Sequence, residues 1–213
     1  MRKETIGDCE LYLGDCRDIT LPDCDALVCD PPYGIGESNK KNLSRCILAK
    51  PKDYGDYDWD KEPIEQMVLD DFRALCKYQI IFGGNYYQLP PTKCWLVWDK
   101  LNGKNDFADC ELAWTNLDKA VRRIQWLWNG MIRQGQEERF HPTQKPLEVM
   151  RWCLGHLPAD TKTVLDPFMG SGTTGMACAT MGLKFIGVER EQAYFDIACR
   201  RIEDAYKQSS LVF

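Results

Sequence analysis

Histidine is nearly absent: the 213 residues include only two, too few to build a metal centre. No C-x-x-C pair occurs, and the 11 cysteines are an odd number. A disulfide frame or a cysteine zinc site is therefore not indicated. Cys29, Cys76, Cys153 and Cys178 stand in apolar runs and read as reduced core residues of a cytosolic protein. No apolar run reaches membrane-spanning length. Met1-Arg2-Lys3-Glu4-Thr5 has no apolar stretch behind it, so no signal peptide is expected. Internal repeats and low-complexity tracts are also lacking. The apolar fraction of 44% is ordinary and supports a sizeable core. The length fits one large domain, or a domain with a small insertion.

Against that background three segments stand out. The first is Asp30-Pro31-Pro32-Tyr33, which follows the apolar run Ala26-Leu27-Val28-Cys29. The prolines fix φ and remove two backbone donors, leaving carbonyls without a competing N–H. Asp30 adds an acceptor-only carboxylate, and Tyr33 adds a flat face. Such a tetrad suits a planar group bearing an exocyclic amine, whose two N–H bonds the acid and a carbonyl can accept. Read blandly, it is a strand ending in a proline turn.

The second segment is Val164-Leu165-Asp166-Pro167-Phe168-Met169-Gly170-Ser171-Gly172-Thr173-Thr174-Gly175. A short strand ends at Asp166, a glycine turn follows, and a helix runs through Met176 to Ala179. Gly170, Gly172 and Gly175 fit G-x-G-x-x-G. The next strand, Lys184 to Val188, ends at Glu189, about 20 residues beyond the first glycine, where a ribose-binding acid belongs. No lysine follows the glycines, which excludes a phosphate-cradling P-loop. Alone, the turn fits a dinucleotide or another adenosine cofactor.

The third segment is His141-Pro142-Thr143-Gln144-Lys145-Pro146, before a helical stretch with Leu147, Met150 and Leu154 on one side. In isolation it is a proline-bracketed loop with a solvated lysine.

Together the three resemble the amino-methyltransferases that methylate exocyclic amines of DNA bases. That resemblance implies transfer of a methyl group from S-adenosylmethionine (AdoMet) to N6 of adenine or N4 of cytosine. Asp30, Pro31, Pro32 and Tyr33 resemble the catalytic motif. Asp166, Phe168, Gly170, Ser171, Gly172 and Thr173 resemble the AdoMet turn, with Glu189 on the ribose. Thr143 and Lys145 lie in the segment expected over the methionine end. Gly14-Asp15 resembles the acid beside the cofactor adenine. Catalytic motif first and cofactor turn last is the order of the permuted β group. The tetrad's opening Asp favours adenine; Ser there is associated with cytosine. An inactive AdoMet- and DNA-binding remnant is the non-enzyme alternative. A dehydrogenase would leave the tetrad unexplained.

The implied fold is a Rossmann-like AdoMet-dependent methyltransferase: a mostly parallel seven-stranded sheet with helices on both faces, in one catalytic domain spanning 1–213. Strands are expected at Leu11–Leu13, Ala26–Cys29, Gln79–Phe82, Trp95–Trp98, Cys110–Trp114, Thr163–Leu165 and Phe185–Val188. Helices are expected at Ile64–Lys77, Leu147–His156, Thr174–Met181 and Glu191–Tyr206, the last returning the chain toward Leu11.

Two segments lack periodicity. Residues 34–60, emerging beside Asp30, read as a flexible target-side loop. Residues 116–140 include Trp126-Leu127-Trp128-Asn129-Gly130-Met131 and are a short candidate for target recognition. The net charge of −5 is awkward for a DNA partner, so local clusters matter more. Lys40, Lys41 and Arg45 in the first segment, and Arg122 and Arg123 in the second, are the candidate phosphate contacts. Double-stranded DNA is the implied partner; a homodimer and a cognate restriction nuclease stay open. The implied setting is the cytoplasm, with a bacterial or phage-borne gene.

Overall fold

The computed structural model describes residues 2–35, 60–102, 108–129 and 132–210. Its strands are β1 (Arg2–Ile6), β2 (Cys9–Leu13), β3 (Cys24–Cys29), β4 (Cys76–Phe82), β5 (Trp95–Asp99), β6 (Cys110–Thr115), β7 (Arg122–Gln125), β8 (Trp128–Asn129), β9 (Ile132–Arg133), β10 (Thr163–Asp166) and β11 (Lys184–Glu189). The α-helices are α1 (Gln66–Ala74), α2 (Leu147–Leu154), α3 (Thr173–Met181) and α4 (Gln192–Ser210).

Nine strands form one sheet in the order β1-β2-β11-β10-β3-β4-β6-β5-β7; β8 and β9 make a separate ribbon. The block β2-β11-β10-β3-β4 is parallel throughout. β1 joins antiparallel at one edge, and β6 runs antiparallel between β4 and β5. The sheet is therefore mixed, and it has two strands more than the seven expected. Both extra strands, β1 and β7, are edges with largely exposed side chains. An edge strand wet on both faces carries no apolar alternation, which is why neither shows in the residue pattern.

The helix expected over Ile64–Lys77 is shorter, because Cys76 already pairs with Cys24 and begins β4. The apolar residues that extended its period, Leu75 onward, belong to the turn and the strand.

Two apolar layers cover the sheet. One holds Val149, Met150 and Cys153 of α2, Ala177 and Cys178 of α3, and Phe195, Ala198 and Ile202 of α4. The other holds Leu69 and Phe72 of α1, with Cys16, Ile19 and Leu21 from the β2–β3 connection. Helices thus lie on both faces. β11 pairs with β2, and α4 packs on β1 and β2, so the C-terminal helix does return to the strand containing Leu11. Cys29, Cys76, Cys153 and Cys178 are buried free thiols, as their apolar settings indicate.

Gly172, just before α3, is where the glycine turn meets α4. Its φ is +80°, and a Cβ there would stand 2.7 Å from Ala198 Cβ. Gly172→Ala would add left-handed strain to overpacking and should cost at least about 2 kcal/mol. Urea denaturation measures this; a loss under about 0.5 kcal/mol would mean that α4 yields at Ala198.

Candidate active site

The strands of the parallel block end on one side of the sheet, and four of the five leave an acidic side chain there. Asp30 follows β3, Asp166 closes β10, Glu189 closes β11, and Gly14-Asp15 follow β2. Leu13 is in register with Glu189, and the Gly14 amide donates to the Glu189 carbonyl at 3.0 Å. Adjacent strands thus bring Asp15 beside Glu189. Ligands of open α/β sheets bind outside such carboxyl ends.

A cleft of about 480 Å³ runs along this edge. Asp15, Asp30, Pro32, Thr143, Lys145, Asp166, Phe168, Gly170, Ser171, Thr173 and Glu189 all line it. The three sequence segments, far apart in the chain, therefore share one cavity. Pro31, Tyr33 and Gly172 do not line it. Gly172 lies against α4 instead, as described above.

The turn after β10 is held from within. Asp166 accepts from the Phe168 amide at 3.0 Å and from the Thr174 hydroxyl at 2.6 Å. Burial pushes its carboxyl up to about 7. Glu189 accepts from the Glu191 amide at 2.7 Å, and burial likewise lifts it to about 7. Asp15 caps the short helical turn Cys16–Asp18 and pairs with Arg17 at 2.6 Å; the Arg17 guanidinium lowers its carboxyl. The Phe168 ring meets Phe72 edge-on, with centroids 6.0 Å apart.

Asp30 is gripped from two sides. Tyr33 donates its hydroxyl to one carboxylate oxygen, and Lys145 donates to the other. Lys145 is buried and also stands 3.1 Å from Glu111, at the start of β6. Glu111 in turn pairs with Lys100 at 2.5 Å. Lys145 is thus bonded to the tetrad's acid, a partner its place in the proline-bracketed loop gives no hint of.

The Tyr33 ring stacks on Tyr86 at 4.7 Å and 14°. It also crosses Gly83, where a Cβ would come within 2.1 Å of the ring, and φ there is +63°. Only glycine fits under the tyrosine. The backbone at the tetrad's end is engaged as well. Pro32 O accepts from the Tyr87 hydroxyl and from the Ile64 amide at 3.3 Å. The amides of Tyr33 and Gly34 both donate to buried Asp60 at 2.9 Å. Asp60 thereby pins the two ends of the 34–60 loop together. Residues 36–59, with Lys40, Lys41 and Arg45, lie outside the described residues. Arg122 and Arg123 are exposed on edge strand β7, Arg123 standing 3.6 Å from Asp99.

The residue pattern also missed a buried knot behind the glycine turn. Arg201 of α4 donates to the Ser171 carbonyl at 2.6 Å, to the Thr173 hydroxyl at 3.2 Å and to Glu137 at 2.9 Å. Glu137 also accepts from the Leu147 amide at the start of α2 and from Gln144. Gln144 accepts from the Ser171 hydroxyl at 3.2 Å. His141 is buried beside it, edge-on to Tyr194 at 4.2 Å. Burial and the nearby cations lower its imidazole to about 3, so it is neutral.

Residues 48–200 match the N6_N4_Mtase model, described as DNA methylase. The type II methyltransferase M.HinfI of Haemophilus influenzae is 37% identical, over 96% of this chain and 71% of its own length. The type II methyltransferase M2.DpnII of Streptococcus pneumoniae is 34% identical over 107 residues. M2.LlaDCHI of Lactococcus lactis subsp. cremoris is 35% identical over 83 residues. The chain spans only 35% and 31% of the length of these last two. Among solved structures, that of the M1.HpyAVI–SAM complex shares the fold with a TM-score of 0.59 at 24% identity, covering 91% of this chain and 98% of that one. The cytosine-N4-specific PvuII DNA methyltransferase does so at 0.51 and 14%, covering 96% and 93%. With a family model matching most of its length and a relative this similar along nearly all of it, the chain belongs to the N6_N4_Mtase family of DNA methylases.

Proposed function

We propose that this chain is an AdoMet-dependent DNA methyltransferase of the permuted β group, and that its target is the exocyclic N6 of an adenine flipped out of duplex DNA. The observation that carries the reading is the shared cleft: an amine-accepting acid, Asp30, opens onto the same cavity as the glycine turn and Glu189. Its volume lies within the roughly 300–1,000 Å³ usual for cofactor sites.

The donors and acceptors present fit AdoMet. Glu189 would accept from the ribose hydroxyls, and Asp15 would lie beside the adenine. Phe168 would pack on the cofactor, and Gly170, Ser171 and Thr173 would bring backbone close to it. The start of α3 and Thr143 would serve the methionine end, where the helix dipole favours a carboxylate. Bound there, AdoMet supplies a sulfonium methyl group.

The chain's own work is to make a poor nucleophile reactive. The lone pair of an adenine amine is delocalised into the ring. Accepting both N–H bonds, one at Asp30 and one at a tetrad carbonyl, favours a pyramidal nitrogen with the lone pair outward. Pro32 O already accepts from Tyr87 and Ile64, so the Pro31 carbonyl is the acceptor we assign; Pro31 does not line the cleft of the free chain, and its carbonyl would have to be reached by the flipped base from beside Asp30. The Tyr33–Tyr86 stack supplies aromatic surface beside Asp30 to offset the stacking a flipped base gives up, roughly 1–3 kcal/mol per base. Holding nitrogen and methyl in line contributes the rest through proximity.

Double-stranded DNA is the proposed partner. Lys40, Lys41 and Arg45 are its proposed phosphate contacts from the 34–60 loop, with Arg122 and Arg123 on β7. We extend the proposal to one catalytic domain, in a cytoplasmic setting and of bacterial or phage origin.

The direct test incubates the purified chain with isotopically labelled AdoMet and unmethylated DNA, then separates the nucleosides. Label in N6-methyladenine is expected. Label in N4-methylcytosine would overturn the choice of base, and none in either would overturn the activity.

Glu189→Gln gives a second expectation. It should weaken AdoMet by about 1–3 kcal/mol, the scale of a hydrogen bond to a charged group, with DNA affinity unchanged. Because Glu189 titrates at about 7 and binds best as an anion, wild-type affinity should rise as pH climbs through 7, and Glu189→Gln should lose that slope. Calorimetric titrations at pH 6 and 8 measure both; identical curves for the two proteins would remove Glu189 from the ribose.

A further inference from the structure

Lys145 is the group whose setting the reading above does not use. Its side chain is buried, two residues before α2, and its ammonium touches two carboxylates, Asp30 and Glu111. It also stands 5.2 Å from the centre of the Phe82 ring, which closes another side. Glu111 is held in turn by Lys100. A lysine fixed in this way donates to Asp30 and ion-pairs with Glu111, and the group it is aimed at is the tetrad's acid.

We propose that Lys145, seated on Glu111, is a positioning residue that aims the Asp30 carboxylate and keeps it ready to accept the proton released by the target amine. This rests on the methyltransferase reading. As the N–C bond forms and the C–S bond breaks, the electron pair leaves with sulfur and the amine nitrogen becomes cationic. One N–H proton then passes to the Asp30 carboxylate and from there to solvent. Lys145 does not take the proton, since its two carboxylate neighbours outweigh burial and hold it protonated. Its part is to oppose the cost of a carboxylate in a low-dielectric cleft. Burial raises the Asp30 carboxyl, and Lys145 is the strongest influence pulling it back.

Among the described residues, other groups facing Asp30 are few. Cys29 and Tyr33 flank it on its own strand and turn, and Glu111 faces it from β6. Asp166 faces it from β10, and Tyr87 from the turn after β4. Glu111 and Asp166, both acids, disfavour ionisation. Lys145 is the cation among these neighbours. Removing it should therefore move Asp30 upward, by about one to three pH units, as expected for losing an adjacent opposite charge.

The test titrates the full chain by carboxyl NMR with ¹³C-labelled aspartate, the Asp30 signal being assigned from Asp30→Asn. Lys145→Met should raise the Asp30 midpoint by at least about one unit. Lys145→Arg, which keeps the charge, should restore most of it and also shows whether the site tolerates substitution. In single-turnover methylation the acid limb of the pH profile should move with the NMR midpoint, so that Lys145→Met loses roughly tenfold on that limb and recovers on the alkaline side. Glu111→Gln should lower the plateau without moving the limb upward. AdoMet affinity should hold within about threefold in all three variants.

An unmoved Asp30 midpoint in Lys145→Met would overturn the proposal. So would a defect confined to AdoMet affinity, which would assign Lys145 to the cofactor. A midpoint that moves as expected in a chain that methylates no DNA would instead uphold the clamp and defeat the methyltransferase reading.

Discussion

Asp30→Ala is expected to abolish methyl transfer while AdoMet binding survives. The carboxylate is the only tetrad side chain positioned to accept from the amine, and Tyr33 and Lys145 both point their donors at it. Loss of a preorganised polar group aimed at a reacting centre costs on the order of 10²–10³ in rate, about 2.7–4 kcal/mol. Asp30→Asn is the more discriminating variant, since it keeps the shape but offers one acceptor oxygen and no charge. It should be nearly as inactive. Single-turnover rates at saturating cofactor, with AdoMet affinity measured separately, give both halves of the expectation. A turnover near wild type in either variant would defeat the mechanism.

Arg201→Ala should produce the largest loss of stability. Arg201 is buried and bonds Ser171, Thr173 and Glu137 at once. Glu137 is itself mostly buried, and burial raises its carboxyl despite Arg201. Removing one partner of a buried pair leaves the other charge uncompensated, at a cost of about 3–5 kcal/mol. The Ser171 carbonyl loses its donor as well, so the glycine turn should loosen and AdoMet should bind more weakly. Urea denaturation gives the first number. The double variant Arg201→Met with Glu137→Gln should recover part of the loss, because it removes the stranded charge. A loss under about 1 kcal/mol in Arg201→Ala would mean that water reaches Glu137 and the knot contributes little.

The residues legible in the chain were those whose meaning is local. Asp30 to Tyr33, Asp166 to Gly175 and His141 to Pro146 are contiguous, and each couples a strand or helix boundary to unusual residue types. The central strands β3, β10 and β11 were legible because their runs are apolar and buried on both faces. What escaped depends on distance in the chain. Glu111 stands in Cys110-Glu111-Leu112-Ala113, an alternation in which a charged residue reads as solvent-facing. Only the fold brings Lys145 and Lys100 to it. Arg201 sits on a helix rich in charge, where one more arginine suggests a wet face, yet it points into the turn 30 residues earlier. Lys145 was legible as special but its partner was not, since Asp30 lies 115 residues away. Edge strands β1 and β7 escaped for the opposite reason: they bury too little to leave a pattern.

The central claim is methylation of adenine N6 by this chain, and the most direct measurement is base-resolved sequencing of DNA from a methylase-free host producing it. N6-methyladenine confined to a short recurrent sequence, and absent when the Asp30→Ala variant is produced instead, is the predicted result. N4-methylcytosine, or unmodified DNA in a host where the chain is folded and binds AdoMet, would contradict it.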